Sequence, residues 1–406
     1  MATRAAGAAV EPWRAAAEAE LPAMVALRRA IHAEPELGLK TPKTAARVRA
    51  LLADLPLEWR EGPSTSGLVA VLRGPAAGRT ILLRGDMDAL PMEEETGLAF
   101  ASRVPGAMHA CGHDAHTAML AGAARLLCAN RARLAGTVLF MFQPGEEGFH
   151  GARFMLEDGL LDPLPDCAFA LHVMPNAPHG VFAGRPGPLL ASADQIAVTV
   201  RGRGGHASMP HDARDPVPIA CEIVTAIQTF VTRQVNAHDP VVVTIGRIRA
   251  GSTHNVIPET AELLGTIRTL SARNRQGVQD GLRRLAVGIA AAHGAEAEVR
   301  IEEGFPVTLC DARAVALGAR VVRETFGEEA WADMPAPVMG AEDFSYVLEK
   351  VPGAMFFLGA SPRGSDWRQC EALHSSRMIV DEAVMARGAA LHAALAERFL
   401  AEGFSA

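Results

Sequence analysis

Two periodicities alternate along the chain. LVAVLRG (68–74) and TILLRGD (80–86) are short, nearly continuous apolar runs, the pattern of strands buried on both faces. TAMLAGAARLLCAN predicts a helix, TVLFMFQP a third strand and CAFALHV a fourth. Strand and helix patterns in alternation predict an α/β architecture. The pattern changes after Val181. GRPGPLLAS (184–192) reads as a Gly/Pro-rich link, and DQIAVTVRGRG beyond it alternates apolar and polar positions as a half-exposed strand does. DPVPIACEIVTAIQTFVTRQV then predicts an amphipathic helix, VVVTIGRIRAG and TAELLGTIRTL two strands, NRQGVQDGLRRLAVGIAAAHG a second helix and EAEVRIEEGFP a last strand. This order predicts a small antiparallel sheet with two helices (187–305) inserted into a larger α/β domain (1–186 and 306–406).

At 406 residues with 49% hydrophobic content the chain can bury more than one core. A net charge of -7 leaves no basic footprint, which excludes nucleic acid as an expected partner. The longest apolar runs fall well short of a membrane span. The Ala-rich N-terminus is interrupted by Glu11, Trp13, Arg14 and Glu18, so it reads as a frayed tail leading into a helix and not as a signal peptide. Six widely spaced cysteines without a CxxC pair point to a reducing, cytoplasmic setting.

The chemistry concentrates in GAMHACGHDAHTAML (106–120), which holds three of the 14 histidines. A thiolate and neutral imidazoles suit zinc-like divalent ions, and Cys111 with His113 can grip one ion from a turn. The plainer possibility is that His109, His113 and His116 decorate a helix. FMFQPGEEGFHG (140–151) sets Glu146 and Glu147 just past an apolar strand, where active sites of α/β sheets gather. Two adjacent acids suit a division of labour between ligating a metal and moving protons. His172 closes another apolar strand, His374 lies in a polar turn, and RGDMDALP ends a strand with Asp86 and Asp88, acids of the kind that orient a ligating imidazole.

In this order the stretches RRAIHAEPELG, RGDMDALP, GAMHACGHDAHTAML, QPGEEGFHGA, ALHVMP, GRGGHASMPHDARDPV, GSTHNVIPETAELLGTIRT, MGAEDFSY and LHSSRM resemble the M20 metallopeptidase family. The nearest branch is that of the amidohydrolases acting on hippurate, indole-acetyl-amino acids and other N-acyl-amino acids. One departure follows PELG, where the family carries an acid before the Thr and this chain has Leu39, Lys40 and Thr41.

The resemblance implies a two-metal, aminopeptidase-like catalytic domain carrying an inserted α+β lid that also dimerises. It implies two divalent ions per subunit, zinc or manganese, with cobalt or nickel also fitting. Cys111, His113, Glu147, His172 and His374 would be their ligands. Glu146 would be general base to a metal-bound water, and Asp88 would orient His113 from behind. His206 would donate to the oxyanion, often in the neighbouring subunit, Arg268 would clamp a substrate carboxylate, and Asn255 and Gly340 would line the pocket. The implied reaction is hydrolysis of an N-acyl-L-amino acid to a carboxylic acid and a free amino acid, in a homodimer or homotetramer. A dipeptidase or carboxypeptidase would use the same centre. A thiol amidase with Cys111 as nucleophile would leave four of the other ligand-type residues without purpose, and a non-catalytic metal binder would not need Glu146.

Overall fold

A computed structural model describes residues 11–404, so the expected N-terminal tail lies outside the described residues. The chain forms two compact units. The first takes residues up to Leu189, Leu309–Ala336 and Asp343 onward; the second takes Leu190–Thr308 and Pro337–Glu342. That last short segment belongs to the second unit, a feature the apolar pattern does not reveal.

In chain order the first unit begins with helices α1 (Glu11–His32) and α2 (Pro42–Leu51), strands β1 (Glu58–Glu61), β2 (Leu68–Arg73) and β3 (Ala76–Asp86), and helix α3 (His113–Ala129). Strand β4 (Ala135–Gln143), helix α4 (Gly151–Glu157) and strands β5 (Cys167–Met174), β6 (Phe182–Gly184) and β7 (Gly187–Leu190) follow. Then come β8 (Asp194–Arg201), β9 (Gly205–His206), α5 (Pro216–Gln234), β10 (Val241–Ala250), β11 (Val256–Ile257), β12 (Thr260–Thr269), α6 (Ala272–Ala292) and β13 (Glu296–Glu303). The chain ends with β14 (Thr308–Cys310), α7 (Ala312–Phe326), β15 (Trp331–Asp333), α8 (Ser345–Leu348), β16 (Gly353–Gly359) and α9 (Val384–Glu402).

The large unit is built on an eight-stranded sheet of order β1-β2-β4-β3-β5-β16-β6-β15. Its centre is parallel: β3 pairs with β4 on one side and β5 on the other, and β5 with β16. The inner halves of β3 and β4 and almost the whole of β5 and β16 are buried, because both faces of the sheet are covered there. After β4 the chain crosses to the other side of β3, and such a reversal leaves a crevice at the carboxyl ends of the strands. Asp86, Gln143 and the end of β5 at His172 therefore open onto one place. Helix α3 packs against α1, α9 and β3, which accounts for burial around nearly its entire circumference.

The departure after PELG is resolved locally. Thr41 makes no side-chain cap on α2; the Glu36 carboxylate accepts from Lys43 N–H (3.1 Å) and Thr44 N–H (2.8 Å) instead. An upstream acid thus satisfies the first-turn donors.

The second unit matches the expected small antiparallel sheet with two helices, its strand order being β10-β12-β8-β13. Helices α5 and α6 start on Asp215 and Ser271, whose side chains accept from Val217 and Asn274 N–H. Ile196, Val198 and Val200 of β8 bury against Ile219, Ile223 and Ile227 of α5 and Leu282 of α6. The Gly/Pro-rich stretch read as a link contains β7, so it is partly strand.

Candidate metal centre

The site in the large unit is assembled from four sequence-distant pieces. Cys111 and His113 flank Gly112, which has φ +84 and precedes α3. A β-carbon on Gly112 would fall 2.3 Å from Val173 Cγ2, so only glycine lets this turn close against the end of β5. The turn brings Cys111 Sγ to 3.4 Å from His172 Nε2. Glu146 and Glu147 follow β4. His374 is held by its own N–H donating to Ala110 O (2.8 Å), with its ring Nε2 3.3 Å from Glu147 Oε1.

The histidine rings are oriented from behind. His113 Nδ1 donates to the main-chain carbonyl of Asp88 (2.8 Å) and His172 Nδ1 to the carbonyl of Val173 (2.8 Å). This holds a proton on each Nδ1 and turns each Nε2 inward. Asp88 meets both His113 and the acidic turn. Its carboxylate stands 3.5 Å from His113 Nδ1 and accepts the backbone N–H groups of Glu146 and Glu147, each at 3.0 Å. Asp88 therefore orients the imidazole with its carbonyl and the acidic turn with its side chain. The charged oxygens go to the two turn amides because such bonds are the stronger use of a carboxylate.

Donor atoms of Cys111, His113 and His172 lie within 4.8 Å of one another, as do those of Cys111, Glu147 and His374, and those of His113, Glu146 and Glu147. The buried Glu147 Oε1 faces His374 Nε2 at 3.3 Å, and His113 Nε2 is buried without a hydrogen-bond partner among the described residues. Buried polar atoms are rarely left so, and a thiol, imidazoles and a carboxylate are the donors a borderline divalent cation takes. The residues fit a metal. Cys111, His113 and Glu147 each belong to two of these groups, so the three sets of donors form one connected cluster.

The donors also shift one another's proton affinities. Burial opposes ionisation of Glu147, but hydrogen bonding to His374 and the charge of His113 hold its carboxyl below the usual range. Hydrogen bonds to Cys111 and Glu147 raise the His374 imidazole to about 10. Burial, with His116 beside it, pushes His172 well down and keeps its lone pair available. Burial pushes the Cys111 thiol up, against the pull of His113.

His116, without a role in the sequence reading, is structural. Its Nδ1 donates to Asp86 Oδ1 (2.6 Å) and its Nε2 accepts from Val173 N–H (2.8 Å), so neither nitrogen is available to a ligand. His109 precedes α3; it is buried and pushed down to about 3 by that burial. Beneath the centre lies a charged network that the sequence did not disclose. Arg84 bonds Gln143 Oε1 (2.8 Å), Asp86 Oδ2 (2.6 Å) and Asp343 Oδ1 (3.2 Å). Asp343 also accepts from Gln143 Nε2 (2.6 Å) and Ala152 N–H (2.9 Å). Arg84 lies in the buried half of β3, 1% exposed, and nothing in the apolar pattern marked it.

In the second unit, β9 and β11 pair His206 with Val256, and Ala207 N–H donates to Asn255 O (3.1 Å), which brings His206 and Asn255 together. His206 Nδ1 accepts from Ser208 N–H (3.1 Å). A main-chain amide can only donate, so the neutral ring carries its proton on Nε2, an outward donor. Arg268 is half-buried on β12 opposite Val242, makes no ion pair among the described residues, and is lowered by desolvation. Gly340 accepts from Ala191 N–H through its carbonyl (2.8 Å).

Residues 82–398 match the profile of peptidase family M20/M25/M40. The chain belongs to that family. It is similar to thermostable carboxypeptidase 1 of Saccharolobus solfataricus, 40% identical over 93% of this chain and 95% of that protein. It is also similar to the N-acetylcysteine deacetylase of Bacillus subtilis, 38% identical over 83% of this chain and 88% of the relative. Among solved structures, the YXEP protein of Bacillus subtilis, a dinuclear metal binding peptidase from the M20 family, is 34% identical with a TM-score of 0.82, covering 95% of this chain and 99% of that one. This M20 chain is thus an enzyme of the peptidase and amidohydrolase family, on its amidohydrolase branch.

Proposed function

We propose that this protein hydrolyses the amide of N-acyl-L-amino acids to a carboxylic acid and a free amino acid. The observation that carries the reading is the pair of donor groups sharing Cys111, with Glu146 beside them on a turn clamped by Asp88. Cys111, His113, Glu147, His172 and His374 hold two divalent ions, zinc or manganese. When bound, the ions supply Lewis-acid polarisation of the amide carbonyl and lower the pKa of water. Glu146 takes the proton of the attacking water and returns it to the departing amine nitrogen. His206, with its proton on Nε2, donates to the oxyanion, a contribution of about 10²–10³ in rate for such a donor. Arg268 receives the substrate α-carboxylate in a bidentate pair, and Asn255 and Gly340 line the same pocket. An N-acetylcysteine deacetylase among the relatives supports an acyl-amino acid substrate; a carboxypeptidase among them supports the second reading, cleavage of peptides by the same centre.

The test is a panel of N-acetyl, benzoyl and indole-acetyl amino acids beside dipeptides and longer peptides. Each is assayed with metal-stripped protein before and after reconstitution with zinc, manganese, cobalt or nickel. Acyl-amino acids should be cleaved, with activity lost on stripping and restored by metal. Full turnover in verified metal-free protein removes the metal reading, and preference for peptides with a free amino end removes the substrate assignment.

A further inference from the structure

The turn carrying Glu146 and Glu147 is held at both ends, and only the Asp88 end enters the reading above. The other end is His150, which sits at φ +59 immediately before α4. That left-handed conformation is one a residue with a β-carbon seldom takes unless its surroundings impose it. His150 Nδ1 lies 2.9 Å from Tyr346 Oη, and Tyr346 is the single tyrosine of the chain. Two residues further on, Ala152 N–H donates to Asp343 Oδ2 (2.9 Å). The stretch from Asp343 to Tyr346 therefore grips the start of α4 at two points.

The acidic turn between the two holds is closed on itself. Gly148 N–H donates to Glu146 O (2.6 Å) and Gly151 N–H to Gly145 O (3.0 Å). A turn so tied moves as one piece, and displacement at His150 carries to the carboxylates of Glu146 and Glu147. We propose that His150 and Tyr346 form a latch that positions these two acids, Tyr346 acting as a positioning residue through His150. The proposal rests on the reading of Glu146 as base and Glu147 as ligand.

The backbone strain at His150 makes the latch separable from ordinary structural support. His150→Gly removes the hydrogen bond but also the left-handed strain, because glycine adopts positive φ freely. A residue serving only stability would leave kcat intact in this variant. The latch predicts the reverse: Tm equal to or above wild type, KM little changed, and kcat lower by about 10–100-fold, the loss expected when a reacting group is misplaced by a fraction of an ångström to an ångström. Tyr346→Phe, which removes one hydroxyl, should lower kcat in the same direction. Both variants, stripped of metal, should bind Zn2+ or Mn2+ more weakly in a competition titration, because Glu147 moves with Glu146. The double variant should lose no more than the worse single one, as two parts of one contact do. Wild-type kcat and metal affinity in Tyr346→Phe, or single losses that multiply in the double variant, overturn the latch. Glu146→Gln is assayed alongside. If it keeps its turnover, the reading of the base has failed, and the latch then stands or falls on the metal titration alone.

Discussion

Glu146 and Glu147 are chemically identical neighbours, and their surroundings separate them. Both carboxylates stand 3.9 Å from His113 Nε2, but only Glu147 also reaches His374, at 3.3 Å, while Glu146 is 6% exposed with its amide held by Asp88. A base that only moves protons should be removable without emptying the site. Glu146→Gln is expected to lower kcat by about 10² or more, with metal content near wild type by elemental analysis. Most of the turnover surviving would shift the base elsewhere. Asp343 is a poor replacement, because its oxygens are engaged by Arg84, Gln143 and Ala152.

At the scale of elements, α1 clasps the start of α3. Arg28 Nε and His32 Nδ1 both bond Asp114 Oδ2, at 2.9 and 2.8 Å and buried, and His32 Nε2 reaches the partly buried Glu94 Oε1 at 3.1 Å. Burial alone would lower the His32 imidazole, but Asp114 and Glu94 outweigh it and raise it to about 9 from 6.5. A raised folded-state pKa stabilises fully below the unfolded value and ceases to do so as pH climbs through the folded one. The clasp should therefore contribute below pH 6.5 and fade as pH rises through 9, by about 3 kcal/mol at ~1.4 kcal/mol per pKa unit. His32→Gln should be less stable in urea at pH 6, with the gap to wild type closing towards pH 9.5; a gap independent of pH would mean that His32 is held neutral. The acidic turn is an element of a different kind, fixed by sterics. A β-carbon on Gly151 would lie 1.6 Å from Pro144 O. Gly151→Ala should cost about 1–3 kcal/mol or more, as overpacking does, and lower turnover as well; a variant with wild-type Tm and kcat would show that the turn can rearrange.

At the scale of the whole molecule, the second unit ends its sheet in strands β10 and β13. Ile248 on β10 is 52% exposed, and an edge strand with an exposed apolar residue is a template for pairing unless covered. Two such sheets paired about a two-fold axis would give an isologous dimer. If His206 serves the opposite subunit, mixing His206→Ala with Glu146→Gln protein should restore activity to two nearly inactive parents. One site in each mixed dimer then receives an intact Glu146 from its own chain and an intact His206 from the other. Verified heterodimers without activity would confine His206 to its own chain or remove it from catalysis. No helix of the described residues is long and apolar enough to cross a membrane.

Local patterns determined much of this protein. The apolar runs of β2, β4 and β5 and the alternation of β8 were readable because burial on two faces or one leaves a direct imprint on composition. The pairing of Cys111 with His113 was readable from their spacing, whereas Glu147, His172 and His374 joined them only through the resemblance of their motifs to the M20 family. Tertiary structure decided the rest. That both nitrogens of His116 are engaged, which atom of Asp88 meets His113, and what Arg84 and Asp343 neutralise depend on partners tens to hundreds of residues away. A side chain offers the same atoms wherever it lies, and only packing determines which of them remain unspent.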